Sequence, residues 1–172
     1  AGHIPHKFKL AQVKESVKAG AEEIDIVINN AGIYGPKKDG QSLKKITAEA
    51  MHEVFDIDSV APLRVVQTLH SRLRRPGGII ANISSKMGSS SDNSSGGTYA
   101  YRAAKAALII ISKSMAVDLA PEGITVITLH PGWVRTDMVD FTGLIDVSDS
   151  VEGMASVIEN IEEYTPGDLV AY

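Results

Sequence analysis

Cysteine is absent from the 172-residue chain. Neither a disulfide framework nor a thiolate metal site can therefore be built from it. Long apolar runs are missing too: the longest, residues 106–111, falls far short of the roughly 20 residues that a membrane-crossing helix requires. No leader pattern opens the sequence, so a cytoplasmic protein is expected. An excess of positive charge is likewise lacking, with 17 Lys and Arg against 21 Asp and Glu and a net charge of −4. This balance argues against nucleic acid and anionic membrane as partners, because both demand a basic footprint. Arg72, Arg74 and Arg75 form one local basic cluster, read as the solvated end of a helix. His3 and His6 come without a third ligand, and no metal site is expected. What is present is ordinary: 44% hydrophobic and 22% charged residues, in a length that suits a single domain, 1–172, with a substantial core.

Strand and helix patterns alternate along the chain. Residues 7–10 alternate as a short strand would, and 12–20 read as a short helix closed by Gly20. Residues 24–29 are β-branched and mostly apolar, the composition of a buried parallel strand, and Asn30-Ala31-Gly32 turns the backbone at its carboxyl end. A polar loop, 35–40, leads to a helix capped by Thr47. Its apolar stripe through Met51, Val54, Phe55, Val60, Leu63, Val66 and Leu69 suits a core or a subunit contact. Pro62 inside that helix lacks the N–H that would reach the carbonyl of Asp58, which leaves the oxygen for another partner. A strand over 78–83, a Ser- and Gly-rich loop over 88–97 that suits substrate contacts, and a helix over 99–119 follow. Then come a strand over 124–129, a His130-Pro131-Gly132 turn, a loop over 141–149 placed as a lid, a helix over 151–161 and an edge strand over 168–172. In open α/β sheets ligands bind outside the carboxyl ends of strands, so the turns after residues 29 and 83 face one crevice.

The chemistry concentrates between Asn82 and Lys105. Tyr101 and Lys105 lie four residues apart, which is one helical turn and one helix face. A phenol titrates near about 10 in water and is a poor acid or base at neutral pH, but a nearby ammonium favours the phenolate and lowers that value. Tyr101 is thereby a candidate general acid/base. A serine arriving from the strand end is placed to hydrogen-bond a substrate oxygen as charge grows on it. The Tyr-x-x-x-Lys spacing alone is common by chance. Tyr99 is the other phenol within reach, but six residues separate it from Lys105, which turns the two side chains to different faces.

Four motifs occur in a particular order: Asn29-Asn30-Ala31-Gly32 after an apolar strand, Ile83-Ser84-Ser85 at the next strand end, Tyr101-Arg102-Ala103-Ala104-Lys105, and the run from His130 to Met138. Together they resemble the short-chain dehydrogenases/reductases. The insertion before Tyr101 and the HPGWVRTDM run are most similar to the branch of C-factor, sniffer and carbonyl-reductase-like proteins, and the likeness extends from Ile24 to Tyr172. The resemblance implies an α/β fold with a Rossmann-like doubly wound parallel sheet. It implies NAD(P)(H)-dependent interconversion of a small-molecule carbonyl and an alcohol. The catalytic roles fall to Ser85, the second of its pair, with Tyr101, Lys105 and Asp58. Asn30, Ala31, Gly32, Pro131, Gly132, Val134 and Thr136 join Tyr101 and Lys105 around NADP or NAD, with NADP placed ahead of NAD. In this picture the backbone near Val134 meets the nicotinamide carboxamide and Thr136 sits near the phosphates. Without the resemblance the same stretch reads as a strand and loop around a buried Trp133. In the family the helices around Asp58 and Tyr101 often build a homodimer interface.

Two features depart from the family. Asp58 stands where an asparagine is expected, whose main-chain carbonyl helps to hold a water behind the lysine. A carboxylate near Lys105 stabilises the ammonium but weakens its pull on the phenol, so slower chemistry is expected. The family also opens with a glycine-rich turn that brings the pyrophosphate to a helix N-terminus. Residues 1–23 hold only Gly2 and Gly20, neither between a strand and a helix. The chain thus enters the family's plan around its third strand, as a fragment of a full reductase or as a shortened relative. A shortened relative allows an alternative, a non-catalytic binding, signalling or scaffolding protein. In such a shortened relative the sheet is expected to carry an uncovered edge and face.

Overall fold

The computed structural model describes Gly20 and residues 22–172. The strand expected at 7–10, most of the helix expected at 12–20, and His3 and His6 lie outside the described residues. Four β-branched, apolar stretches form parallel strands: β1 (Ile26–Asn29), β2 (Ile79–Ile83), β3 (Thr125–His130) and β4 (Leu169–Ala171). They lie in the order β1-β2-β3-β4. The register pairs Ile26 with Ile79 through Asn29 with Asn82, and Ile79 with Thr125 through Ile83 with Leu129. Parallel neighbours cannot be joined by a tight hairpin, so each connection is a helical crossover.

The first crossover opens on α1 (Ala48–Phe55), where Thr47 caps as expected: its side-chain oxygen accepts the Ala50 N–H at 3.2 Å. The helix does not continue unbroken to residue 69. Asp56–Val60 form a π-helical turn, closed by the Ala61 N–H donating to Asp56 O, before α2 (Ala61–Leu69) begins. Pro62 lies in the first turn of α2, where its missing N–H costs little. Such wide turns insert one extra residue and recur at functional sites. Here the turn carries Asp58 and Ser59, both wholly buried.

The second crossover contains α3 (Tyr99–Leu119), with the bounds expected from the sequence. The third contains α4 (Val147–Glu159), which begins before the expected residue 151. The loop expected over 141–149 therefore stops at Asp146, which takes the cap position. Asp149 lies in the first turn, where the helix dipole favours a carboxylate.

Helices cover both faces, as a doubly wound sheet requires. Val27, Ile80 and Val126 pack against Val66 of α2 and Met115, Ala116 and Leu119 of α3. On the opposite face Ala81, Ile127 and Leu129 meet Val157 of α4. That helix sits over the β3 side and leaves Ile26 and Ile28 of β1 exposed at 37% and 53%. Among the described residues the first strand lies at the edge of the sheet and is buried on one face, not the fully buried strand its composition suggests. The expected uncovered edge is present among the described residues. Among them, too, no helix is long and apolar enough to cross a membrane. The strand order places the carboxyl ends of β1, β2 and β3 side by side, and the site is assembled there.

Candidate active site

Ser85 follows β2 in an extended conformation, so its side chain and that of Ser84 point to opposite sides. The Ser85 hydroxyl oxygen accepts the Met87 N–H at 3.1 Å, and Ser85 lies close enough to the Tyr101 phenol to draw its titration down. Ser84 instead donates to the Lys105 carbonyl oxygen at 3.0 Å, inside the core. One helical turn beyond Tyr101, Lys105 Nζ lies 5.5 Å from the phenol ring centroid and donates to Ile83 O at 3.1 Å. Tyr99, the other phenol considered, is exposed.

Behind Lys105 stands Asp58. Its Oδ1 accepts the Ile33 N–H at 2.8 Å, and Oδ2 lies 3.2 Å from Lys105 Nζ, an ion pair whose angles fall short of a full hydrogen bond. Burial pushes the Asp58 carboxyl above the usual carboxylate range, against the opposing influence of Lys105 and the Ile33 N–H. Burial also pushes the Tyr101 phenol above its ordinary value; the Asp58 carboxylate adds to the rise and the nearby Ser85 hydroxyl opposes it. The expectation that Lys105 depresses the phenol is therefore not met in this structure. The phenol has lost its solvation, and the ammonium is engaged by Asp58 and by Ile83 O.

The scaffold beneath this cluster is polar, and sequence reasoning missed it. Asn29 Nδ2 donates to Asn82 Oδ1 at 2.7 Å, Asn82 Nδ2 donates to Ser112 Oγ at 2.9 Å, and Ser112 Oγ donates to Leu108 O at 2.7 Å. This buried chain fastens β1 to β2 and β2 to α3. The available signal was an asparagine at the end of each of two otherwise apolar strands. Ser59 Oγ donates to Ala104 O at 2.7 Å and ties the π-helical turn to α3. A Cβ on Gly32 would stand 3.3 Å from both Asp58 Oδ1 and Lys105 Nζ, so the absence of a side chain lets the turn after β1 close over the pair.

The remaining expected residues divide between two strand ends. Asn30 and Ala31 are exposed after β1, beside Gly32. Pro131, Gly132, Val134 and Thr136 follow β3, two strands further along the same edge of the sheet. Pro131 O accepts the Ser150 hydroxyl at 2.7 Å and the Tyr172 hydroxyl at 2.9 Å. Gly132 adopts φ +80, and a Cβ there would lie 2.5 Å from Ile145 Cδ1. Val134 pairs with Ile145. Trp133 is exposed, which corrects the reading of this segment as a loop around a buried tryptophan. His130 Nδ1 accepts the Lys86 N–H at 3.5 Å and links this strand end to the Ser85 turn. Burial and the Lys86 charge hold its imidazole below its ordinary value. Gly32, Asp58, Ser85, Tyr101 and Lys105 converge on one point, and the residues after β3 flank it.

The sequence profile described as short chain dehydrogenase matches residues 4–143. The chain belongs to the short-chain dehydrogenase family. This short-chain dehydrogenase is 39% identical over 151 residues to C-signal of Myxococcus xanthus, covering 87% of the chain and 89% of that protein. Its fold is similar to that of the carbonyl reductase Sniffer of D. melanogaster, with a TM-score of 0.85 at 31% identity over 95% of this chain and 69% of that one. An NADPH bound carbonyl reductase from chicken fatty liver superposes with a TM-score of 0.82 at 31% identity, over 94% of this chain and 67% of that one. The family member described here is thus an oxidoreductase of the carbonyl-reductase-like branch that spans 69% and 67% of these two reductases.

Proposed function

We propose that this short-chain dehydrogenase interconverts a small-molecule carbonyl and an alcohol with NADP(H) or NAD(H), using Ser85, Tyr101 and Lys105. The observation that carries the reading is the buried Lys105 ammonium, 5.5 Å from the Tyr101 ring centroid one helical turn behind it, with Ser85 beside the phenol.

The residues present fit the nicotinamide end of such a cofactor. Gly32 leaves a cradle beside Lys105 that a Cβ would fill, and the ammonium is a donor for the hydroxyls of a ribose. Asn30 and Ala31 would wall one side; Pro131, Gly132, Val134 and Thr136 would wall the other. Among the described residues there is no glycine-rich strand-to-helix turn for the pyrophosphate. The NADPH named for the chicken reductase supports NADP ahead of NAD.

When bound, the nicotinamide supplies the hydride in the direction of reduction. Ser85 already accepts the Met87 N–H, so its own proton can be aimed at the carbonyl oxygen. Tyr101 donates a second hydrogen bond to that oxygen and transfers its proton as negative charge develops. The phenolate left behind is stabilised by the Lys105 ammonium. A phenol raised above its ordinary value stays protonated at neutral pH, which is the starting state for reduction and the wrong one for alcohol oxidation.

Retention of the whole Ser-Tyr-Lys cluster favours an enzyme over a non-catalytic binding or signalling protein. Exposed Phe55, Ile110 and Val117 on α1 and α3 support a homodimer contact there. The test is titration of NADPH fluorescence, followed by carbonyl-dependent NADPH oxidation in the wild type and in Tyr101→Phe. Saturable binding in both, with turnover lost in the variant, is expected. Undiminished turnover in Tyr101→Phe, or no binding at millimolar NADPH, would sink the reading.

A further inference from the structure

Gln41 ends a short 3-10 turn (Lys38–Gln41) in the polar loop between β1 and α1, yet it is only 3% exposed. Glutamines in loops are ordinarily solvated. Its amide is instead fully used: Nε2 donates to Tyr34 O at 2.6 Å and to Pro36 O at 3.3 Å, and Oε1 accepts the Tyr101 N–H at 3.0 Å.

The recipients give these bonds their meaning. Tyr101 is the third residue of α3, and the N–H groups of a first turn have no partner within the helix. The usual remedy is a side-chain oxygen at the cap position, but Thr98 stands there with φ +50 and makes no capping bond. Gln41 supplies the missing acceptor from another element. Tyr34, whose carbonyl Gln41 holds, sets its ring 5.0 Å from the Tyr101 ring at a tilt of 39°. Gly35 adopts φ +83, and a Cβ there would stand 2.7 Å from Val54 Cγ2 and 3.6 Å from Gln41 Nε2. A glycine is what allows the loop to wrap the amide.

We propose that Gln41 is a positioning residue for the Tyr101 phenol: a single buried amide fixes both the backbone that carries the ring and the aromatic neighbour that flanks it. This rests on the reading of Tyr101 as the acid/base. The bonds of Gln41 go to backbone atoms of Tyr34, Pro36 and Tyr101 and to no reacting oxygen, so its loss is felt in kcat and not in KM.

Two variants separate its two tasks. Gln41→Met keeps length and burial but removes acceptor and donors, whereas Gln41→Glu keeps an acceptor for the Tyr101 N–H without the paired donors. The measurements are amide hydrogen exchange at Tyr101, ring resonances of Tyr34 and Tyr101 in tyrosine-labelled protein, and steady-state kinetics with NADPH and benzaldehyde. In Gln41→Met the Tyr101 amide exchanges about tenfold faster or more and both ring resonances shift. Its kcat falls by about tenfold to a hundredfold while KM stays within about threefold. In Gln41→Glu the amide protection returns towards wild type and the ring shifts do not. Native exchange and native ring resonances in both variants overturn the proposal, as does an unchanged kcat when both have moved. Should Gln41→Met fail to fold, Gln41→Glu decides alone. If exchange and resonances respond as described while neither wild type nor variant turns over, the acid/base reading has failed and the hold of Gln41 on Tyr101 stands.

Discussion

Asp58 Oδ2 stands 3.2 Å from Lys105 Nζ, with both side chains buried. The pair sets the chemistry of the phenol beside it. A carboxylate there raises Tyr101 and engages the ammonium beside it. In Asp58→Asn the carbonyl oxygen can keep the Ile33 N–H, and an NH2 group then faces Lys105, which frees the ammonium towards Tyr101. The variant is expected to lower the apparent pKa of the acid/base in the pH-rate profile and to raise kcat by about threefold to tenfold. The titratable groups facing Asp58 are Lys105 and Tyr101, with Tyr34 beyond. Stability carries a second signature. A carboxyl raised in the folded state contributes stability below its unfolded value, near about 4, and loses it as pH rises through the folded value. Wild type should therefore lose Tm relative to Asp58→Asn on going from acid to neutral pH. Superimposable rate profiles and parallel Tm curves would show that the carboxylate has no such influence.

The two adjacent serines separate a structural hydroxyl from a reactive one. Ser84 donates into the core, to Lys105 O, whereas Ser85 meets the phenol. Ser84→Ala should cost about 1 kcal/mol of stability and leave most of the turnover. Ser85→Ala should leave denaturation within about 0.5 kcal/mol of wild type and lower kcat by roughly a hundredfold or more. The reverse pattern in chemical denaturation and steady-state kinetics would exchange their roles.

Gly88 closes the turn that carries Ser85 against the back of the catalytic helix. A Cβ there would stand 2.6 Å from Ala106 N and 2.7 Å from Lys105 C, both backbone atoms that cannot rotate away. Gly88→Ala is expected to destabilise by about 2–3 kcal/mol and to part Ser85 from Tyr101, with turnover falling further than stability alone explains. Wild-type stability in the variant would mean that the turn moves freely over α3.

The grouping of Ser85, Tyr101 and Lys105 was legible because its signals are local: a helix spacing, a strand end and a hydroxyl. The parallel order of strands was legible for the same reason, since each apolar run and each helical stripe declares itself. What escaped depends on pairings between distant segments. Asn29 and Asn82 lie 53 residues apart and only the strand register brings them together. The start of α4 was hidden because Ser148, Asp149 and Ser150 are polar enough to read as loop. The rise in the phenol's value came from burial, which no helical spacing encodes. Asp58 does stand beside Lys105, a placement that the resemblance implied and that no local spacing encodes.

Lys37 joins the loop after β1 to the loop after β3, donating to Asp137 O at 2.9 Å and to Asp140 Oδ1 at 2.5 Å. Because β2 lies between those strands, the bridge passes across the strand end that bears Ser85. Asp140 and Phe141 both hold left-handed backbone, φ +49 and +58, at a cost of about 1 kcal/mol or more each. An ion pair between half-exposed and exposed partners contributes less than about 1 kcal/mol and weakens with salt. The bridge is therefore poised to open. Trp133 is the only tryptophan in the chain, and its carbonyl accepts the Leu144 N–H within the same loop, so it reports the motion. Acrylamide quenching of Trp133 should rise in Lys37→Met, and in wild type at high salt, with no further salt response in the variant. Equal quenching of both proteins at every salt concentration would mean that the backbone bonds across residues 133–145, and not Lys37, hold this loop over the site.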